Sequence, residues 1–257
     1  MAQTTSAIPR IRGSGRSLVP VVIPAALLAL AAVGWWWSAR MAGADMSSMG
    51  MDDRVMSFGG FMLAWVAMMG AMMFPAISPV VLLYARAAAQ RTVAPLPFFI
   101  AGYLAVWSVV GLPAYAAWHA LAMPLADGRA WAARLAGAVL IVAAIWQLTP
   151  MKSICLRHCR SPMGFFLKFG RRLDRPLGAL RMGMAHGAFC LGCCWALMAV
   201  IVALGTMNLL WMIALALLIF LEKDARHGEG IAVVGAAVFA LLGVLLLLAP
   251  STLAHVT

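Results

Sequence analysis

The run HGAFCLGCCWALM, from His186 to Met198, sets three cysteines and a histidine in an otherwise apolar stretch. At about 100° per residue on a helix, His186 precedes Cys190 by one turn. Cys193 and Cys194 follow at the three and four spacings, and Met182 lies one turn before His186. These five side chains share an arc of roughly 120° and can face a common seam. Gly183, Gly187 and Gly192 lie among them and would admit a second helix at close range. One thiol in an apolar helix is ordinary packing. Three within the span Cys190 to Cys194, one turn after a histidine, point to metal or redox chemistry.

A second thiol pair stands in CLRHC, Cys155 to Cys159. On a helix Cys155 and Cys159 share a face, with His158 beside it. All five cysteines of the chain fall in the two clusters, an odd and crowded set that makes a poor disulfide framework. A third feature is WVAMMGAMMFP, where Met68 and Met72 are one turn apart, as are Met69 and Met73. Methionine is a common gap-filler in cores, but thioethers beside thiols also select Cu(I). A fourth is MAGADMSSMGMDD, where Met46, Met49 and Met51 alternate with acids that would raise the local cation concentration. Glu222 adds an acid at the end of an apolar run; a salt bridge to a basic segment explains it better than ligation.

These ligands need elements to hold them, and composition says which. Of 257 residues, 65% are hydrophobic and only 11% charged, against about half and about a quarter in a soluble domain. The expected fold is all-α, a polytopic transmembrane helix bundle. About seven runs approach the roughly 20 apolar residues that cross a bilayer. They are residues 18–39, 58–85, 96–123, 130–148, 183–204, 207–221 and 231–249. The Trp35–Trp37 cluster closing the first run reads as an interfacial anchor, so that run is taken as a retained helix rather than a cleaved signal. Pro75 and Pro79 are expected to break the helical hydrogen-bond ladder near the methionines.

Net charge is +11, and its distribution indicates a membrane rather than nucleic acid. Basic residues fill every other loop: Arg10, Arg12 and Arg16, then Arg86 and Arg91. The densest group runs from Lys152 to Arg181, and Lys223 and Arg226 come last. The positive-inside rule then sets the N-terminus in the cytoplasm and the C-terminus outside. The organisation is a cytoplasmic tail at 1–17, one transmembrane domain at 18–249 with a basic cytoplasmic segment at about 149–182, and an external tail at 250–257. Within that segment SPMGFFLKFGRRLDRP mixes aromatic and basic residues as an amphipathic segment on the membrane surface would. The two thiol clusters would approach each other near the cytoplasmic boundary. No Walker loop, dinucleotide fingerprint or serine elbow is present, which argues against an ATP-driven pump and gives no sign of an enzyme.

Three blocks together carry a family resemblance: the Trp65–Met68/Met69–Met72/Met73–Pro75 pattern, CLRHCRSP from Cys155 to Pro162, and HGAFCLGCCWALM followed by MNLLWM and LEK. The chain resembles the bacterial domain of unknown function 2182 family, predicted metal-binding integral membrane proteins, over most of 58–245. The resemblance implies a multi-pass protein of the bacterial cytoplasmic (inner) membrane with a metal site. It implies no reaction.

On the residues themselves, the expected ligands are Cys155, His158, Cys159, His186, Cys190, Cys193, Cys194, Met68, Met69, Met72 and Met73. Met46, Met49 and Met51 would be the way in, and Glu222 an acid partner. The expected ion is copper, with zinc as the alternative, since four Cys or His ligands also build structural zinc sites. The function expected is Cu(I) transport or membrane chaperoning, with the lipid bilayer and a metal chaperone or metalloenzyme as partners and no nucleic acid. The alternative is a membrane thiol redox protein or an assembly subunit of a metalloenzyme, which would need the cysteines but not the methionines.

Overall fold

The computed structural model describes residues 25–26, 28–36, 40, 57–90, 94–169, 173–204 and 209–252. The proposed access methionines Met46, Met49 and Met51 and both tails lie wholly or largely outside the described residues. Among the described residues from 57 on, eight α-helices follow one another: α1 Phe58–Ala89, α2 Leu96–Ala126, α3 Ala130–Gln147, α4 Pro150–Arg160, α5 Pro162–Phe169, α6 Pro176–Leu204, α7 Leu209–Asp224 and α8 Gly228–Leu248. No strand occurs among the described residues. A further helical stretch at 28–36 is described in part.

Five of these helices, α1, α2, α3, α6 and α8, are long and apolar enough to cross a membrane. α7 is shorter, at 16 residues. Their outer faces are as apolar as their inner ones. α8 is the most hydrophobic of the five, yet only 33% of its most apolar window is buried. Leu241 and Leu248 on it stand open. Such surfaces suit lipid and not water.

α6 is the centre of the bundle. It has the largest buried share of the five, 67%, and packs on α2, α3, α4 and α7. Glycines set its closest approach. A Cβ on Gly183 would strike the carbonyl of Phe99, and one on Gly102 would strike that of Leu180. α2 and α6 therefore meet backbone to backbone. Gly137 and Gly243 make a similar crossing between α3 and α8.

Between α3 and α4 the chain restarts its helix cleanly. Thr149 caps α4, its hydroxyl accepting from the Lys152 amide at 3.3 Å, and Pro150 takes the first position, where no amide partner is needed. Pro75 and Pro79 leave gaps in the hydrogen-bond ladder, yet α1 runs on through both prolines. Pro79 cannot donate to the Pro75 carbonyl, and the Ser78 hydroxyl donates to it instead at 2.8 Å. The basic segment also differs from a loop. It folds as α4, α5 and the first turns of α6. Lys152 and Lys223, both read as loop charges, are buried.

Candidate metal centre

The seam on α6 is fully inside. Met182, His186, Cys190, Cys193 and Cys194 are all buried, with His186 and Cys190 at 0% exposure. Because α2 rides so close over Gly183 and Gly187, it brings Tyr103 to the seam. The Tyr103 hydroxyl and the Cys190 thiol share a hydrogen bond at 3.2 Å. Rings of Phe99 and Tyr103 flank His186 at centroid distances of 6.1 and 6.0 Å.

α1 contributes the thioether. Met73 Sδ lies 3.9 Å from Cys190 Sγ, across a separation of 117 residues. Met68, Met69 and Met72 are buried on the same helix. Met72 lines a cleft of about 290 Å³ with Trp35, Pro75, Ile213, Leu217 and Phe220, among others. Adjacent methionines thus face different ways, Met72 to the cleft and Met73 to the thiols.

α4 brings the second thiol cluster to the first. The Cys159 side chain interacts with the thiols of Cys190 and Cys193. Cys155 Sγ sits over Gly192, where a side chain would collide with it. His158 does not join them. Its ring stacks on Phe189 at 4.4 Å, its Nδ1 meets the Ile154 carbonyl at 2.9 Å, and its Nε2 meets Lys168 Nζ at 3.4 Å.

α7 carries what the sequence reading missed. Lys223 Nζ lies 3.1 Å from Cys190 Sγ and 3.9 Å from Met73 Sδ. The preceding Glu222 turns the other way, accepting from Lys152 Nζ at 2.6 Å and Gln147 Nε2 at 2.7 Å. Glu222 is the salt-bridge partner of Lys152 in the basic segment. A signal existed in the sequence: Met212, Leu215, Ile219, Glu222 and Lys223 follow the helical repeat of one buried face.

Chemically the assembled donors are thiols and a thioether with one imidazole near by, a phenol and an ammonium beside them, all buried. That set suits a soft, monovalent ion. The sulfurs are not gathered round one point. Cys193 and Cys194 donate their thiols to the Cys190 carbonyl, at 3.0 and 2.9 Å. Among the described residues, no three His, Cys, Asp or Glu side chains are grouped to hold a metal ion. Cys190 and Met73 are the pair already set at one place. Sulfurs 3.9 Å apart can both lie at about 2.3 Å from one ion.

A bundle of helices long and apolar enough to cross a membrane, with thiols and a thioether buried at its centre, defines a class of all-helical proteins. Within it, the chain belongs to the PpoB2 family, described as copper chaperones, whose family model matches residues 62–246. This family is copper-related, in keeping with the donor chemistry. No curated protein and no solved structure matches the chain significantly.

Proposed function

We propose that the chain takes up Cu(I) within the bilayer, holds it on sulfur at Cys190 and Met73, and hands it on by ligand exchange. The observation that carries this is the 3.9 Å contact of a thiol and a thioether from two helices, in a chain of a copper chaperone family. A thiol alone would serve zinc or redox chemistry equally; the thioether favours Cu(I). Cys193, Cys194, Cys159 and His186 stand next to Cys190 as successive or additional ligands, and Cys155 as a relay beyond them. Met68, Met69 and Met72 line the approach, Met72 from its cleft. Met46, Met49 and Met51 collect the ion outside.

In this reading the bundle crosses the bacterial cytoplasmic membrane seven times, counting the stretch at 18–39 and α7, with the N-terminus inside. The receiver is a metal chaperone or a metalloenzyme. Thiolates hold Cu(I) tightly, so exchange between neighbouring sulfurs suits delivery better than free flow.

One observation favours a second reading. The Cys159 side chain meets those of Cys190 and Cys193 from a separate helix, as a dithiol redox pair would. That reading leaves the Met73 contact without a role.

The test is elemental analysis of the detergent-purified, reduced chain beside a variant with Cys190, Cys193 and Cys194 changed to Ser, and another with Met69 and Met73 changed to Leu. Copper near one per chain, lost in the first variant and lowered in the second, is the expected result. Zinc would make the site structural. A full copper load in the methionine variant would remove the thioether from the site, and no metal in any sample would leave the redox reading.

A further inference from the structure

Lys223 is one of three lysines in the chain, and it is 5% exposed. A buried ammonium needs an anion or good acceptors. The adjacent carboxylate, Glu222, is committed to Lys152 and Gln147. The Lys223 ammonium instead faces two sulfurs, Cys190 Sγ at 3.1 Å and Met73 Sδ at 3.9 Å. These sulfurs are 3.9 Å from each other. The three atoms make an isosceles triangle with the ammonium at one end of its short side.

That triangle is incompatible with an undisturbed metal. An ion at about 2.3 Å from both sulfurs is restricted to a small circle about their midpoint. No point on that circle is further than about 4 Å from Nζ, and the nearest is under about 2 Å. At such distances two positive charges repel strongly in a low-dielectric interior. Either the metal binds more weakly or the lysine leaves.

Resting on the Cu(I) reading, we propose that Lys223 is a resident cation that holds the sulfur site in the empty chain and competes with Cu(I) for it. Loading pushes the ammonium away, and its return drives the ion to the receiver. A chaperone must give up what it binds, and a tethered competitor of the same charge makes the site weaker without removing a ligand. Its effect falls on affinity and release and leaves the identity of the ligands unchanged.

The experiment is a Cu(I) competition titration of the full chain in detergent against a chromophoric Cu(I) chelator, under reductant, with Lys223→Leu and Lys223→Arg. Leucine brings neither charge nor donor. The expected result is binding at least about tenfold tighter in Lys223→Leu, the low end of what one nearby charge contributes. Release to the chelator should slow in step, and Lys223→Arg should stay near the wild type. Equal or weaker binding by a folded Lys223→Leu chain overturns the proposal, since Lys223 would then be neutral or a supporting group. If Lys223→Leu misfolds, the wild type with ¹³C-labelled lysine decides. The Lys223 side-chain signal must move on adding one equivalent of Cu(I), and an unmoved signal overturns the proposal. A wild type that takes up no Cu(I) sinks the copper reading and this inference together. A wild type that binds, with Lys223→Leu unchanged, sinks this inference alone.

Discussion

Gly102 of α2 and Gly183 of α6 face each other with so little room that a Cβ on either would strike the other helix's backbone. This contact fixes the distance between Tyr103 and Cys190. A Gly183→Leu substitution should therefore do more than overpack a core, which typically costs about 1–3 kcal/mol. It should part α2 from α6, lower the melting temperature in detergent and lose copper together. Thermal unfolding and metal content of the same preparation check this; a stable, copper-loaded Gly183→Leu chain would contradict it.

The cysteines are not equivalent. Cys190 touches Tyr103, Met73 and Lys223. Cys190→Ser should lower Cu(I) affinity by more than about tenfold, since a soft ion loses its central thiolate. His158→Ala should change it by less than about twofold, because that ring packs on Phe189 and turns its nitrogens elsewhere. Chelator competition on the two variants separates them, and equal losses would place His158 in the site.

The neighbouring methionines should also part company. Met73→Leu removes the thioether 3.9 Å from Cys190 and should weaken equilibrium binding. Met72→Leu alters the wall of the cleft beside Trp35 and Phe220; it should slow uptake and leave the equilibrium nearly unchanged. Stopped-flow loading alongside the titration reads both, and a matched fall in affinity for the two would remove the distinction.

The Lys152–Glu222 pair is buried and short. Removing one partner strands a charge, at a cost of about 3–5 kcal/mol, whereas replacing both by apolar groups can be close to neutral. Glu222→Leu alone should destabilise the chain severely, and Lys152→Met with Glu222→Leu should recover much of the loss. Melting curves of the single and double variants test this. Additive losses would mean that the two charges do not act as a pair.

The all-helical build was legible from the apolar runs, and the shared face of Met182, His186, Cys190, Cys193 and Cys194 from spacing alone. Both follow from the period of one helix. What could not be read was which faces meet. Tyr103 gives no sign in its own neighbourhood that a glycine crossing brings it to Cys190. Lys152 and Lys223 were counted with the loops because charge near the end of an apolar run usually lies in water. Their burial depends on a partner far along the chain, Glu222 for one and Cys190 for the other. Pro75 and Pro79 cost the ladder two donors without ending α1, and the Ser78 hydroxyl between them supplies one of these, a substitution that spacing alone does not show.

The length of α1 carries a consequence for the surrounding lipid. At 1.5 Å per residue, its 32 residues reach about 48 Å. A hydrocarbon core is about 30 Å thick. On the membrane-spanning reading, α1 must tilt or project, as a helix longer than its bilayer does. Met73 stands at the midpoint of this helix. Tilting moves a midpoint least, so the thioether would keep its depth while both ends of the helix swing.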